Sequence, residues 1–118
     1  MPPKRRRLSR SAEFERVYRQ GRSKANRYLV LYVFPREEGA PDDEGPRLGL
    51  SVSRKVGGAV ERNRVKRCLR EAFWTEAERL PAGSDYVAVA RPDLREVAER
   101  DGVAGVQKAL AELVDQLT

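Results

Sequence analysis

The segment ERNRVKRCLREAFW, residues 61–74, packs five cations into nine positions and closes on two aromatics. On a helical wheel at about 100° per residue, Arg62, Lys66 and Arg70 follow one another at i, i+4 and i+8. Asn63 and Arg67 lie beside them, Arg64 lies further round, and Val65, Cys68, Leu69, Ala72 and Phe73 form an apolar arc on the adjacent side. Glu61 and Glu71 are too few to neutralise five cations, and like charges at i, i+4 repel by a few tenths of a kcal/mol each. A bound polyanion relieves that repulsion. Arginine's planar fork suits phosphate and base edges, and the Asn63 amide both donates and accepts. The chemistry is therefore recognition of RNA or DNA; a merely solvated basic helix face is the plainer alternative.

Other residues extend this pattern. Arg54 and Lys55 follow a strand-like run whose one face is Gly49, Ser51 and Ser53, small enough to admit a sugar-phosphate backbone. Phe14, Tyr18 and Tyr32 stand in a neighbourhood crowded with cations, FERVYRQGRSKANRYLVLY. Rings between charges suit single-stranded nucleic acid, where bases stack and the backbone is held electrostatically. A core role is equally open to Phe14, Tyr18 and Tyr32.

Composition removes several chemistries. The chain has 118 residues, no histidine and one cysteine, Cys68. A disulfide framework, a zinc site and a Ser–His–Asp or Cys–His nucleophile are all excluded. No catalytic carboxylate pair stands out, and Cys68 is expected as a small buried thiol. The charge of +6 is uneven: residues 1–70 hold 19 Lys and Arg against 8 Asp and Glu, residues 71–118 hold 5 against 10. A basic front and an acidic back predict an oriented docking surface for a polyanion. With no secretory signal and no apolar run near the roughly 20 residues of a membrane span, the chain is expected to be soluble and intracellular.

The elements that must position these residues are legible from pattern. Residues 1–10 form a basic flexible arm, and 11–118 a single domain of ordinary size. Ser11 caps a short helix that ends at Gly21. Residues 28–34 read as a strand, with Tyr28, Val30, Tyr32 and Phe34 on one face and Leu29, Leu31 and Val33 on the other. The acidic, Pro- and Gly-rich stretch 35–46 is a surface hairpin loop. A second strand covers 47–55, with Leu48, Leu50 and Val52 on its apolar face. Gly57-Gly58 leads into a helix over about 59–79, ended by Pro81-Ala82-Gly83, with Trp74 at the core edge. A third strand takes 85–90, a helical piece follows Arg91-Pro92, Asp101-Gly102 breaks it, and a last amphipathic helix runs from about 103 to 117. The order α-β-β-α-β-α-α predicts an α+β sandwich, a small mixed sheet packed with helices. Strands two and three flank a helix and should be parallel neighbours.

GLSVSRKVGGAVERNRVKRCLREAF, residues 49–73, resembles the signature of the bacterial ribonuclease P protein subunit, centred on Arg62-Asn63-Arg64. FERVYRQGRSKANRYLVLY (14–32) and DYVAVARP (85–92) match in order and spacing, so the resemblance covers roughly residues 8–115. It implies an α-β sandwich with a left-handed βαβ crossover, against the usual right-handed rule. It implies a cytoplasmic protein that partners a catalytic RNA and precursor tRNA, with no membrane and no protein partner. The RNA and its Mg²⁺ ions would hydrolyse the precursor to give the mature tRNA 5′ end, the protein contributing no catalytic residue and binding no metal alone. By this resemblance Arg62, Asn63, Arg64, Lys66, Arg67 and Arg70 contact the catalytic RNA. Phe14, Tyr18, Tyr32, Ser51, Arg54 and Lys55 line or flank a cleft for the 5′ leader. The acidic stretch 37–44 departs from the family pattern, and its charge predicts that it faces away from RNA.

Three rivals stand beside this expectation. A ribosomal or other non-catalytic RNA-binding protein could use the same helix. A protein-only nuclease would need acidic metal ligands, for which Glu61 and Glu71 are poorly placed. A DNA-binding helix lacks helix-turn-helix spacing.

Overall fold

The computed structural model describes residues 22–35, 46–80 and 84–117. The expected basic arm, the expected first helix with Phe14 and Tyr18, the expected acidic loop and Pro81-Ala82-Gly83 lie outside the described residues. Four strands and two long helices make up the rest: β1 (Arg22–Ala25), β2 (Leu29–Pro35), β3 (Arg47–Ser51), α1 (Ala59–Glu76) with a 3₁₀ turn at Ala77–Arg79, β4 (Ser84–Ala90) and α2 (Leu94–Leu117). The sheet order is β1-β2-β4-β3; β1–β2 and β2–β4 are antiparallel and β3–β4 is parallel. The parallel pairing expected of the two strands flanking the helix is therefore present.

One face of the sheet carries the core. Leu29, Leu31 and Val33 of β2, Leu48 of β3, and Tyr86, Ala88 and Ala90 of β4 pack with Val65, Cys68, Leu69, Ala72 and Phe73 of α1. Leu94, Val97, Val106, Leu110, Leu113 and Val114 of α2 complete it. Phe73 organises the centre, its ring 4.9 Å edge-on from Trp74 and 5.5 Å from Tyr86, within the range favoured by aromatic quadrupoles. Trp74 is half-buried at the core edge, as its position in the sequence predicts. The other sheet face groups Phe34 and Val87 with partly buried Tyr32 and Val89, so the alternation holds along residues 29–34. Tyr28, expected on this face, instead packs against the helix-side core because it lies in the turn before the strand.

Several boundaries differ from the sequence reading. Tyr28 lies in the turn before β2, which runs one residue further, to Pro35. The second expected strand ends at Ser51 instead of Lys55. Beyond it Ser53 closes a turn: its carbonyl accepts from the Val56 N–H at 3.0 Å and its Oγ from the Lys55 N–H at 3.3 Å, the local competition typical of serine. The strand β1 was not expected. All four of its residues are exposed, so no apolar alternation marks it, and it is a strand because β2 offers it a partner.

The break expected at Asp101-Gly102 is real. Gly102 has φ 62° and ψ −147°, a combination that a side chain disfavours, and it divides α2 into two helical stretches.

Candidate nucleic-acid interface

The start of α1 is built around Glu61. A side chain at Gly57 would place its Cβ 2.8 Å from the Glu61 Cβ, so the close approach needs glycine. Glu61 Oε1 accepts from the Gly58 N–H at 3.0 Å, satisfying a donor that the helix ladder leaves open. Its charge sits where the helix dipole favours an anion. Glu61 is thereby committed to the helix end and does not neutralise the cations that follow.

Those cations form rows. Arg62, Lys66 and Arg70 are half-buried along one flank of α1, and Asn63 and Arg67 are exposed next to them. The three flank residues span about 12 Å of helix, a length over which one nucleic-acid strand presents about three phosphates. Arg62 Nε is shielded from water without a hydrogen-bond partner, so the side chain packs its stem against the protein in the manner of amphipathic cations. Among the described residues, Arg62, Lys66, Arg67 and Arg70 have no acidic partner within ion-pair distance. Arg64 differs: it projects from the opposite flank, and its Nη1 lies 3.6 Å from Glu99 Oε1 of α2.

Arg54 and Lys55 are exposed in the Ser53–Val56 turn, immediately before α1. Ser51 and Tyr32 lie on the sheet face away from the helices. Val87 of β4 has Tyr32 on one side and Gly49 on the other; Val89 has Val30 and Ser51. Tyr32 is thus separated from the small residues of β3 by two strand spacings, roughly 10 Å. Phe14 and Tyr18 lie outside the described residues, so only the Tyr32, Ser51, Arg54 and Lys55 part of the expected cleft is described.

Cys68 is buried and free. Burial pushes its thiol pKa up, with Glu71 adding to the rise and Arg67 and Arg64 opposing it. It is a packing residue with none of the depressed pKa that a nucleophile needs. Among the described residues, no group of three or more His, Cys, Asp or Glu side chains comes together as metal ligands would, and no helix is long and apolar enough to cross a membrane.

Asn26 is a positioning residue that the sequence reading missed. Its Oδ1 accepts from the N–H groups of Tyr28 and Leu29 at 2.9 and 3.0 Å, and its own N–H donates to the Leu29 carbonyl at 3.0 Å. Its Nδ2 donates to the Ala109 carbonyl at 2.9 Å and to Glu112 Oε2 at 3.2 Å. One amide thus shapes the β1–β2 turn and fastens it to α2, fixing the register of the strand that carries Tyr32. The only signal in sequence is an Asn in a turn-like context, which says nothing of a partner 83 residues away.

Comparison with known proteins adds an independent line. The family model described as Ribonuclease P matches residues 1–116. The Ribonuclease P protein component of Bacillus pumilus is 43% identical over 94 residues, 80% of this chain and 76% of the relative. That of Halalkalibacterium halodurans is 47% identical over 85 residues, 72% of this chain and 68% of the relative. The solved RNase P protein of Staphylococcus aureus superposes with a TM-score of 0.80 at 31% identity, covering 98% of this chain and 97% of its own. The Thermotoga maritima RNase P protein gives 0.79 at 32% identity, covering 97% and 99%. With the small mixed sheet, the basic helix and matches that run almost end to end, the chain belongs to the ribonuclease P protein family.

Proposed function

We propose that this chain is the protein subunit of a ribonuclease P, binding the catalytic RNA and the 5′ leader of precursor tRNA and assisting Mg²⁺-dependent removal of the leader. The observation that carries this reading is the set of four cations on α1, Arg62, Lys66, Arg67 and Arg70, with no acidic partner among the described residues. A folded protein gains little by gathering such charges unless a polyanion meets them. Asn63 and Arg64 belong to the same RNA-facing group. Tyr32, Ser51, Arg54 and Lys55, with Phe14 and Tyr18, receive the leader: rings stack bases and cations hold phosphates.

The chemistry is assigned to the RNA. Mg²⁺ coordinated mainly by RNA phosphates would activate the attacking water and stabilise the leaving oxygen. The protein's part is electrostatic and positional: it raises substrate affinity and lessens repulsion between the RNA strands that must approach. The enzyme is in this sense a tRNA 5′-maturation endoribonuclease with an accessory protein, working in the cytoplasm. Residues 1–10 add a phosphate-seeking arm to a domain comprising 11–118.

The test is cleavage of precursors with and without a 5′ leader by the reconstituted ribonucleoprotein. The protein should improve the KM of the leader-bearing substrate selectively. Equal help to a leaderless substrate would sink the cleft assignment. Restoration of no activity to a ribonuclease P RNA, with ribosomal RNA co-purifying instead, would favour the non-catalytic RNA-binding rival.

A further inference from the structure

Among the described residues, Arg64 is the one cation of α1 that meets an acid of the protein itself. Its partner, Glu99, is also held by Arg95: Arg95 Nε donates to the same Oε1 at 3.1 Å, one helical turn away along α2. The two arginines are therefore unequal competitors for one carboxylate oxygen. Arg95 makes a hydrogen bond, whereas Arg64 at 3.6 Å is within Coulomb range but beyond hydrogen-bond length. Arg95 is held more firmly protonated by Glu99, and Glu61 adds to the effect. Arg64 and Glu99 are both part-exposed, with side-chain exposures of 41% and 39%.

From this geometry we infer that Glu99 is an internal phosphate mimic, holding Arg64 against α2 in the free protein and surrendering it to an RNA phosphate on binding. The inference rests on the RNA-binding reading above and adds a residue outside the basic helix that tunes it. The exchange is easy for two reasons. A part-exposed pair at this distance is weak, so a phosphate outcompetes it. When Arg64 leaves, Arg95 stays on Glu99, so no carboxylate is stranded without a partner. The consequence is an Arg64 parked on α2 in the free protein, at the expense of some affinity for RNA.

The experiment is a double-mutant cycle on binding to a bacterial ribonuclease P RNA transcript, measured by filter binding across a salt series. Glu99→Gln keeps the shape and removes the charge, and should tighten binding by about two- to fivefold, the range expected of an exposed ion pair. In an Arg64→Ala background the same change should tighten binding little or not at all. Glu96→Gln supplies a control of equal net charge, since Glu96 sits on the same helix beside Arg100 instead of Arg64. Glu99→Gln should exceed it. A gain from Glu99→Gln that survives Arg64→Ala, or that Glu96→Gln matches, would overturn the inference, as would no gain at all. Arg67→Ala in the same assay reports separately on the RNA-binding reading: if it leaves binding and its salt dependence untouched, that reading fails whatever Glu99 does.

Discussion

Arg47 and Asp85 face each other across the parallel β3–β4 pair, Arg47 Nε donating to Oδ1 at 2.9 Å and Nη2 to Oδ2 at 2.6 Å. Asp85 is wholly buried and Arg47 largely so. The two-pronged contact fixes the register of β3 on β4, and so the place at which Ser51, Arg54 and Lys55 emerge. Removing one partner of a buried pair strands the other's charge. Arg47→Ala should destabilise the fold by about 3 kcal/mol, read as a lower urea midpoint at unchanged m-value. Arg47→Lys, which cannot make the paired contact, should restore only part of the loss.

Arg67 is exposed on α1 with no acidic partner among the described residues, so its contribution should be almost purely electrostatic. Arg67→Ala should flatten the slope of log affinity for the catalytic RNA against log salt by about one unit if it contacts one phosphate. Thermal stability should barely change. An unchanged slope would remove Arg67 from the interface.

Gly102 interrupts α2 with a backbone conformation at φ 62° and open space around its Cα. Gly102→Ala therefore meets no clash and tests backbone strain alone. It should cost about 1–3 kcal/mol in equilibrium unfolding.

Cys68 has a folded-state pKa above its ordinary value, chiefly through burial. The folded protein keeps a proton that the unfolded chain releases, so the stability this contributes is complete below the unfolded thiol pKa. It declines as pH rises from there towards the folded value. The stability difference between wild type and Cys68→Ala should accordingly shrink between neutral pH and about pH 10. Alkylation of the native thiol at pH 8 should be slow and should accelerate in denaturant.

How far the fold could be read from residues depends on whether each element carries its own signal. The alternation of Leu29, Leu31 and Val33 against Tyr32 and Phe34, and the apolar arc of α1, are local, and both survive in three dimensions. The break at Gly102 is equally local. β1 is different, since four exposed polar or small residues become a strand only through a neighbour. Glu61 looked like a weak counter-charge for the cations, whereas its carboxylate is committed to the helix start, a detail that depends on the approach of Gly57. Within the candidate interface, the wheel already separates Arg64 from the Arg62, Lys66 and Arg70 row. It does not reveal Glu99, because that contact needs the packing of α2 on α1.

The reach of the Asn26 amide carries a consequence for biogenesis. A chain emerging from the ribosome offers residues 22–35 early, yet Ala109 and Glu112 arrive 83 and 86 residues later. The first hairpin consequently waits, unlatched, until residues 109 and 112 have been made, and the docking platform matures as one event instead of segment by segment. Nascent chains stalled before residue 109 should leave the amides of Tyr28 and Leu29 open to deuterium, and full-length chains should protect them.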